Sequence, residues 1–142
     1  MYYYTNISNI KFLENWDISN VINFSQMFMF CSYISDIKSL KNWNVSKGTD
    51  FISMFDDFCS KISESDIKPL ENWDISICIN FERMFQGFKI STINPLKNWN
   101  VSNGKQFNYM FSNCGQLLDI KALKNWNISN GTDFRGLFCI CE

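Results

Sequence analysis

Histidine is absent from this sequence, so its six cysteines are the first side chains to consider as metal ligands. Cys139 and Cys141 have one residue between them, whereas the usual zinc-binding pair has roughly two to four. Without histidine, no histidine-based dyad, triad or metal site can form. The acidic residues recur at regular intervals and do not pair for acid–base catalysis. The sequence therefore disfavours an enzyme and predicts no catalytic residue, metal ligand or cofactor.

Length and composition favour a single domain over residues 1–142, with 46% hydrophobic residues available for a core. The net charge is −1 and no basic stripe occurs, which argues against a nucleic-acid partner. No apolar run approaches the roughly 20 residues of a membrane span. The opening residues lack the charged and then apolar pattern of a secretory signal.

The strongest pattern in the chain is a motif that occurs five times. Each copy has Asn-Trp, followed by one polar residue, Ile or Val, and Ser. The tryptophans are Trp16, Trp43, Trp73, Trp99 and Trp126, at intervals of 26 to 30 residues. A fixed period in this range is typical of a solenoid, in which each unit contacts only its neighbours.

The first half of each unit has apolar residues at a spacing of three, which changes to a spacing of two at the tryptophan. In the second unit these are Ile34, Ile37, Leu40, Trp43 and Val45. A spacing of two is typical of a strand, so the pattern predicts a short strand around each tryptophan. The serine after it is expected to close the turn that follows the strand.

The second half of each unit has apolar residues at i, i+3, i+4 and i+7. In the first unit these are Phe24, Met27, Phe28 and Cys31. This spacing predicts a helix of about two turns, which only packing could stabilise. Residues of the types that cap helices precede it in four of the five units, and the five are Asn23, Asp50, Asn80, Gln106 and Asp133.

One unit cannot bury enough apolar surface to offset the entropy of ordering its backbone, so the units must stack. Stacking predicts buried columns of tryptophan, phenylalanine and methionine. It also predicts a hydrogen-bonded ladder of the asparagines that precede each tryptophan. Cysteine alternates with phenylalanine in one column, so these cysteines are predicted to be small buried side chains. The extra residues at 61–65 are predicted to form a surface loop.

Residues 15–31, Asn-Trp-Asp-Ile-Ser-Asn-Val-Ile-Asn-Phe-Ser-Gln-Met-Phe-Met-Phe-Cys, resemble the repeat of BspA-like leucine-rich-repeat surface proteins. The resemblance covers the whole chain in five copies. It implies a leucine-rich-repeat type of solenoid, a cell-surface or secreted location, and an adhesive or protein-binding role. At residues 47–51 and 130–134 the sequence departs from the family's repeat, because both segments contain Gly-Thr-Asp-Phe. The family's usual signal and anchor are not seen in this sequence, so an intracellular location stays open.

These patterns predict an α/β repeat solenoid, and the resemblance implies that it is leucine-rich-repeat-like. It has about five rungs of 26–30 residues, with a short parallel β-sheet on one face and short helices on the other. The leading function is a non-catalytic protein-interaction or adhesin-type module that binds a polar protein or glycan surface. An idle polar face, and a spacer that associates end to end, stay open as alternatives. The predicted partner-binding residues are those between Trp and Ile or Val, namely Asp17, Asn44, Asp74, Asn100 and Asn127.

Overall fold

The computed structural model describes residues 7–58 and 67–141. The predicted loop at 61–65 and Cys59 lie outside the described residues. The regular secondary structure of the described residues is a set of short 3₁₀ helices, one before each tryptophan. They span Lys11–Asn15, Lys38–Leu40, Lys68–Leu70, Asn94–Leu96 and Lys121–Asn125.

The predicted α/β solenoid, with a sheet on one face and helices on the other, is wrong. Residues 7–58 and 67–141 contain neither a strand nor an α-helix, and a leucine-rich-repeat-like architecture is not supported. Sheet-type pairing in these ranges is limited to isolated parallel bridges. The bridges join Asn23 to Asp50, Asp50 to Asn80, Asn80 to Gln106, Gln106 to Asp133, and Thr92 to Asp119.

Consecutive turns replace the strand that was predicted around each tryptophan. The backbone N–H of Trp43 donates to the carbonyl of Leu40 at 3.1 Å, and Gly48 N–H donates to the carbonyl of Val45 at 2.8 Å. The equivalent two bonds occur in all five units. Because these bonds close within the unit, the segment does not need a partner strand.

The predicted helix is instead a run of four-residue turns. In the first unit Met27 N–H donates to Phe24 and Cys31 N–H donates to Phe28, at 3.4 and 3.2 Å. The third residue of each turn has positive φ, 59° at Gln26 and 58° at Phe30, as type II turns require and α-helices exclude. Adjoining turns place apolar residues at their first and fourth positions. This arrangement reproduces the helical spacing i, i+3, i+4, i+7 without a helix.

Positive φ recurs at the same two turn positions in every unit, and eight of the ten residues there are not glycine. Such residues seldom adopt this conformation, so the surrounding structure must enforce it. The ten are Gln26, Phe30, Ser53, Asp57, Arg83, Gly87, Tyr109, Asn113, Gly136 and Ile140.

Hydrogen bonds from alternate N–H groups of these turns join one unit to the next. Phe24 N–H donates to the carbonyl of Asp50, and Gln26 N–H donates to that of Ile52, both at 2.8 Å. The pattern recurs between all later pairs of units. The intervening N–H groups bond within their own turns, so the buried backbone donors are satisfied without a sheet.

Aromatic rings form the core in stacked columns. In the longest column Phe55 lies 5.6 Å from Phe28 and 5.8 Å from Phe85, with each pair of rings within 10° of parallel. Phe111 and Phe138 continue it at 5.7 and 5.9 Å. The predicted phenylalanine, methionine and tryptophan columns are confirmed in the inner units, where nearly all of these side chains are buried.

The predicted asparagine ladder is wrong, because the residues are exposed at all five positions: Asn15, Asn42, Asn72, Asn98 and Asn125. The tryptophan indoles make the ladder instead. Trp99 Nε1 donates to the carbonyl of Leu70 at 2.8 Å, and the same carbonyl accepts the backbone N–H of Trp73 at 3.1 Å. Equivalent indole bonds run from Trp43, Trp73 and Trp126 to the preceding unit.

The predicted burial of cysteine is confirmed for Cys31 and Cys114, and Cys141 is partly buried. Cys114 Sγ donates to the carbonyl of Phe85 at 3.2 Å, so this thiol also joins two units. Burial raises the pKa of the Cys114 and Cys78 thiols to about 12. Both therefore stay protonated near neutral pH and are poor nucleophiles.

We expect Trp99→Phe to lower the free energy of unfolding by about 1–3 kcal/mol, because it removes an inter-unit hydrogen bond and leaves a cavity. Trp16→Phe is the matched control. Its ring is 52% exposed and its indole donates to none of the described residues, so its loss should stay within about 0.5 kcal/mol. Urea unfolding followed by circular dichroism measures both variants, and equal losses would contradict the indole ladder.

We expect Gly87→Ala to destabilise the fold by about 1–3 kcal/mol. Its φ is 70°, and an added Cβ would collide with the carboxylate of Asp57 in the preceding unit. Gly115→Ala is the control, because Gly115 is exposed and does not have positive φ. Thermal melts of the two variants make the comparison, and equal melting temperatures would refute the turn geometry.

Candidate functional site

The five predicted partner-binding side chains occupy one recurring position, directly after each tryptophan. All five are exposed, as expected for side chains that point away from the core. We call this set the Asx face, and it consists of Asp17, Asn44, Asp74, Asn100 and Asn127.

One backbone hydrogen bond orients every side chain of the Asx face. Oδ1 of Asn100 accepts the N–H of Ser102, two residues later, at 3.1 Å. The other four members make the same bond at 3.0 to 3.2 Å. This is an Asx turn, in which the side chain takes the place of a backbone carbonyl. The serine thus closes a turn as predicted, although it does not follow a strand.

The Asx turn leaves part of each side chain available to solvent. Among the described residues, Nδ2 of Asn100 and of Asn127 has no hydrogen-bond partner. Hydrogen bonds from the hydroxyl and the N–H of Ser19 lower the pKa of Asp17, and those of Ser76 do the same for Asp74. The Asx face therefore presents two carboxylates and three amides near neutral pH.

Two members of the Asx face share a shallow polar groove between the fourth and fifth units. The groove has a volume of about 450 Å³. Its lining consists of Lys97, Asn98, Trp99, Asn100, Val101, Asn125 and Asn127. Asp17, Asn44 and Asp74 occupy the equivalent position on the earlier units. The structure thus brings Asn100 and Asn127 together and sets the others at equivalent places.

The asparagines before the tryptophans are binding candidates that sequence reasoning missed. Asn98 and Asn125 line the groove beside Asn100 and Asn127. Asn72 and Asn98 line a second groove of about 230 Å³, between the third and fourth units. Their recurrence suggested a buried ladder, and no pattern in the sequence distinguishes a recurring exposed amide from a recurring buried one.

The described ranges hold no cluster of three or more histidine, cysteine or acidic side chains placed to bind a metal. Among the same residues, none of the helices has the length and apolar character needed to cross a membrane.

One buried carboxyl group has an unusual pKa. Asp56 is 3% exposed, and its Oδ2 accepts a hydrogen bond from Ser53 Oγ at 3.1 Å. Its Oδ1 has no partner among the described residues. Burial raises the pKa of Asp56 to about 6. The equivalent residues of the other units are Met29, Gln86, Ser112 and Cys139, so no repeat pattern pointed to an acid here.

Asp56→Asn should stabilise the protein at neutral pH and have no effect below about pH 4. Because burial raises the folded-state pKa of Asp56, the stability that this residue contributes is fully present below its pKa in the unfolded state. That stability is lost as pH rises through about 6. The gain of the variant over the wild type should grow as pH rises from about 4 to about 6, and should reach about 1–2 kcal/mol at neutral pH. Urea unfolding at a series of pH values measures the gap, and a gap independent of pH would contradict the buried charge.

Comparison with protein families matches residues 1–88 and 56–142 to the family described as Mycoplasma protein of unknown function, DUF285. The two matches together span the chain. This is the family of BspA-like surface repeat proteins, so the resemblance of the repeats is confirmed at that level. Neither the curated proteins nor the solved structures that were searched gave a match. The chain belongs to the DUF285 family of Mycoplasma proteins.

Proposed function

We propose that the chain is a non-catalytic interaction module of the adhesin type, which binds a polar protein or glycan surface through the Asx face. The observation that carries the proposal is the shared orientation of its five exposed side chains. Each is held by the same hydrogen bond to a serine N–H. A side chain that is already ordered loses little entropy when a partner binds, so more of the contact energy remains for affinity.

The regular spacing of the Asx face suits a partner with repeating polar groups. Each member follows a tryptophan directly, and neighbouring indole rings lie 6.4 to 6.5 Å apart where they stack. The face is therefore a row with one polar group per unit. Single contacts of this kind are weak, but a partner that engages several at once gains affinity by multivalency.

The chemistry of the groove beside the row favours hydroxyl and amide groups as ligands. Asn98 and Asn125 add amides that can both donate and accept hydrogen bonds, and Lys97 adds a cation. Sugar hydroxyls and peptide backbones also both donate and accept. An adhesive role is also what the resemblance to BspA-like surface proteins implies.

The competing explanation is that these side chains only close turns. Alanine substitution would not separate the two explanations, because alanine removes the turn bond together with the outward-facing group. Exchange of amide and carboxylate does separate them. Asn and Asp both supply Oδ1 to the serine N–H, while the exchange changes the atom that faces a partner.

The test is a five-site exchange variant, Asp17→Asn, Asn44→Asp, Asp74→Asn, Asn100→Asp and Asn127→Asp. We expect it to melt within a few degrees of the wild type and to lose at least about tenfold in affinity, a change equivalent to one or more polar contacts. Labelled protein would be applied to arrays of immobilised glycans and extracellular-matrix proteins.

A second row of Asx turns supplies the matched control. Oδ1 of Asn23, Asp50 and Asn80 accepts the N–H two residues later, at 2.8 to 3.0 Å, on the bridged side of the units. The variant Asn23→Asp, Asp50→Asn and Asn80→Asp should bind as the wild type does. Equal binding by the five-site variant, or no binding by the wild type to either array, would overturn the proposal.

A further inference from the structure

The exposed apolar side chains are concentrated at the two ends of the stack of units. The described residues contain thirteen large apolar side chains that are exposed, and all except Ile77 and Ile79 lie within residues 7–33 or 118–140. Trp16 and Ile128 show the cause. They are 52% and 47% exposed, while their equivalents in the inner units are at most 5% exposed. Their exposure follows from the lack of a neighbouring unit among the described residues.

The end that contains residues 134–140, here called the C-terminal face, carries a row of unused backbone donors. In the preceding unit, Phe107, Tyr109, Phe111 and Asn113 each donate an N–H to the unit that follows. The equivalent N–H groups of the last unit donate to none of the described residues. They belong to Phe134, Gly136, Phe138 and Ile140.

The opposite end, here called the N-terminal face, carries the matching acceptors. In the second unit the carbonyls of Asp50, Ile52, Met54 and Asp56 accept N–H groups from the first unit. The equivalent carbonyls of the first unit accept no hydrogen bond from the described residues. They belong to Asn23, Ser25, Met27 and Met29.

Two further groups on these faces match in the same register. The carbonyl of Leu123 accepts the N–H of Trp126 but receives no indole bond, and the indole of Trp16 has no acceptor among the described residues. The carbonyl of Thr132 accepts no hydrogen bond from the described residues, and the N–H of Ile22 donates none to them. In the second unit the equivalent N–H group, that of Thr49, donates to the preceding unit. Donors and acceptors on one face thus correspond to acceptors and donors on the other.

We propose that the chain binds a second copy of itself head to tail, with the C-terminal face of one copy seated on the N-terminal face of the next. The contact would continue the hydrogen-bond ladder and ring columns that already join neighbouring units within the chain. The two faces differ, so the contact is heterologous and leaves one free face of each kind. A stack that adds copies in one direction does not close on itself, and it gives open linear oligomers.

Sedimentation velocity of the 142-residue chain from about 1 μM to about 1 mM provides the first test. We expect the mass to rise steadily with concentration, without a stop at the dimer. A monomer at every concentration would overturn the proposal. A dimer that does not grow would also overturn it, because a symmetric contact uses the same face on both copies.

Mixing two blocked variants tests the direction of the contact. Trp16→Asp blocks the N-terminal face and Ile128→Asp blocks the C-terminal face, so each alone should associate at least tenfold more weakly than the wild type, a factor of ten or more in Kd. Mixed in equal amounts, they should form a heterodimer through the two intact faces and grow no further. A mixture that stays monomeric would overturn the proposal.

Ile77→Asp is the matched control, because Ile77 is 43% exposed in an inner unit, and it should associate as the wild type does. A second pair, Ile22→Asp and Ile140→Asp, covers the case in which either first variant fails to fold, and both positions are more than half exposed. Asp17 and Asn127 are next to Trp16 and Ile128, so the full exchange variant of the Asx face changes the end units. A variant with only the inner exchanges Asn44→Asp, Asp74→Asn and Asn100→Asp changes neither end. Its association should therefore be unaffected, so failure of one proposal leaves the other standing.

Discussion

The structure depends on the alternation of backbone hydrogen bonds along the turns that follow each tryptophan. Every second N–H group closes a turn within its own unit. The N–H groups between them donate to carbonyls of the next unit, as the N–H of Phe28 does to the carbonyl of Met54. A unit alone leaves the second set of donors unsatisfied, which is costly once the turns are buried. The units must therefore stack, and stacking places equal side chains in columns.

The side-chain columns follow from this backbone ladder. Stacked rings such as Phe85 and Phe111 fill the interior, and the indole of each inner tryptophan bonds to a leucine carbonyl one unit away. Because these groups serve cohesion, the residues free to meet a partner are those that the turns hold outward, as Asn100 is held by Ser102. The same ladder leaves complementary groups at its two ends, so the association between chains that we propose would have the same physical origin as cohesion within the chain.

The sequence predicted the repeat, its core residues and the outward position of the Asx face, because burial and exposure recur with the motif. It did not predict the local backbone. Adjoining turns with positive φ at Gln26 and Phe30 give the apolar spacing of a helix, and neither residue is a glycine that would have marked such a turn. Asp56 was missed because an acid occurs at this position in a single unit. The exposed Asn98 was missed because a recurring amide was interpreted as buried.

Amide hydrogen exchange at low protein concentration is the most direct measurement of the central claim. The alternating ladder predicts slow exchange for the N–H groups of Phe81 and Phe85, which donate to the next unit. It predicts fast exchange for those of Phe134 and Phe138, which occupy the same two positions in the last unit and have no acceptor among the described residues. Equal protection of all four amides would contradict the account.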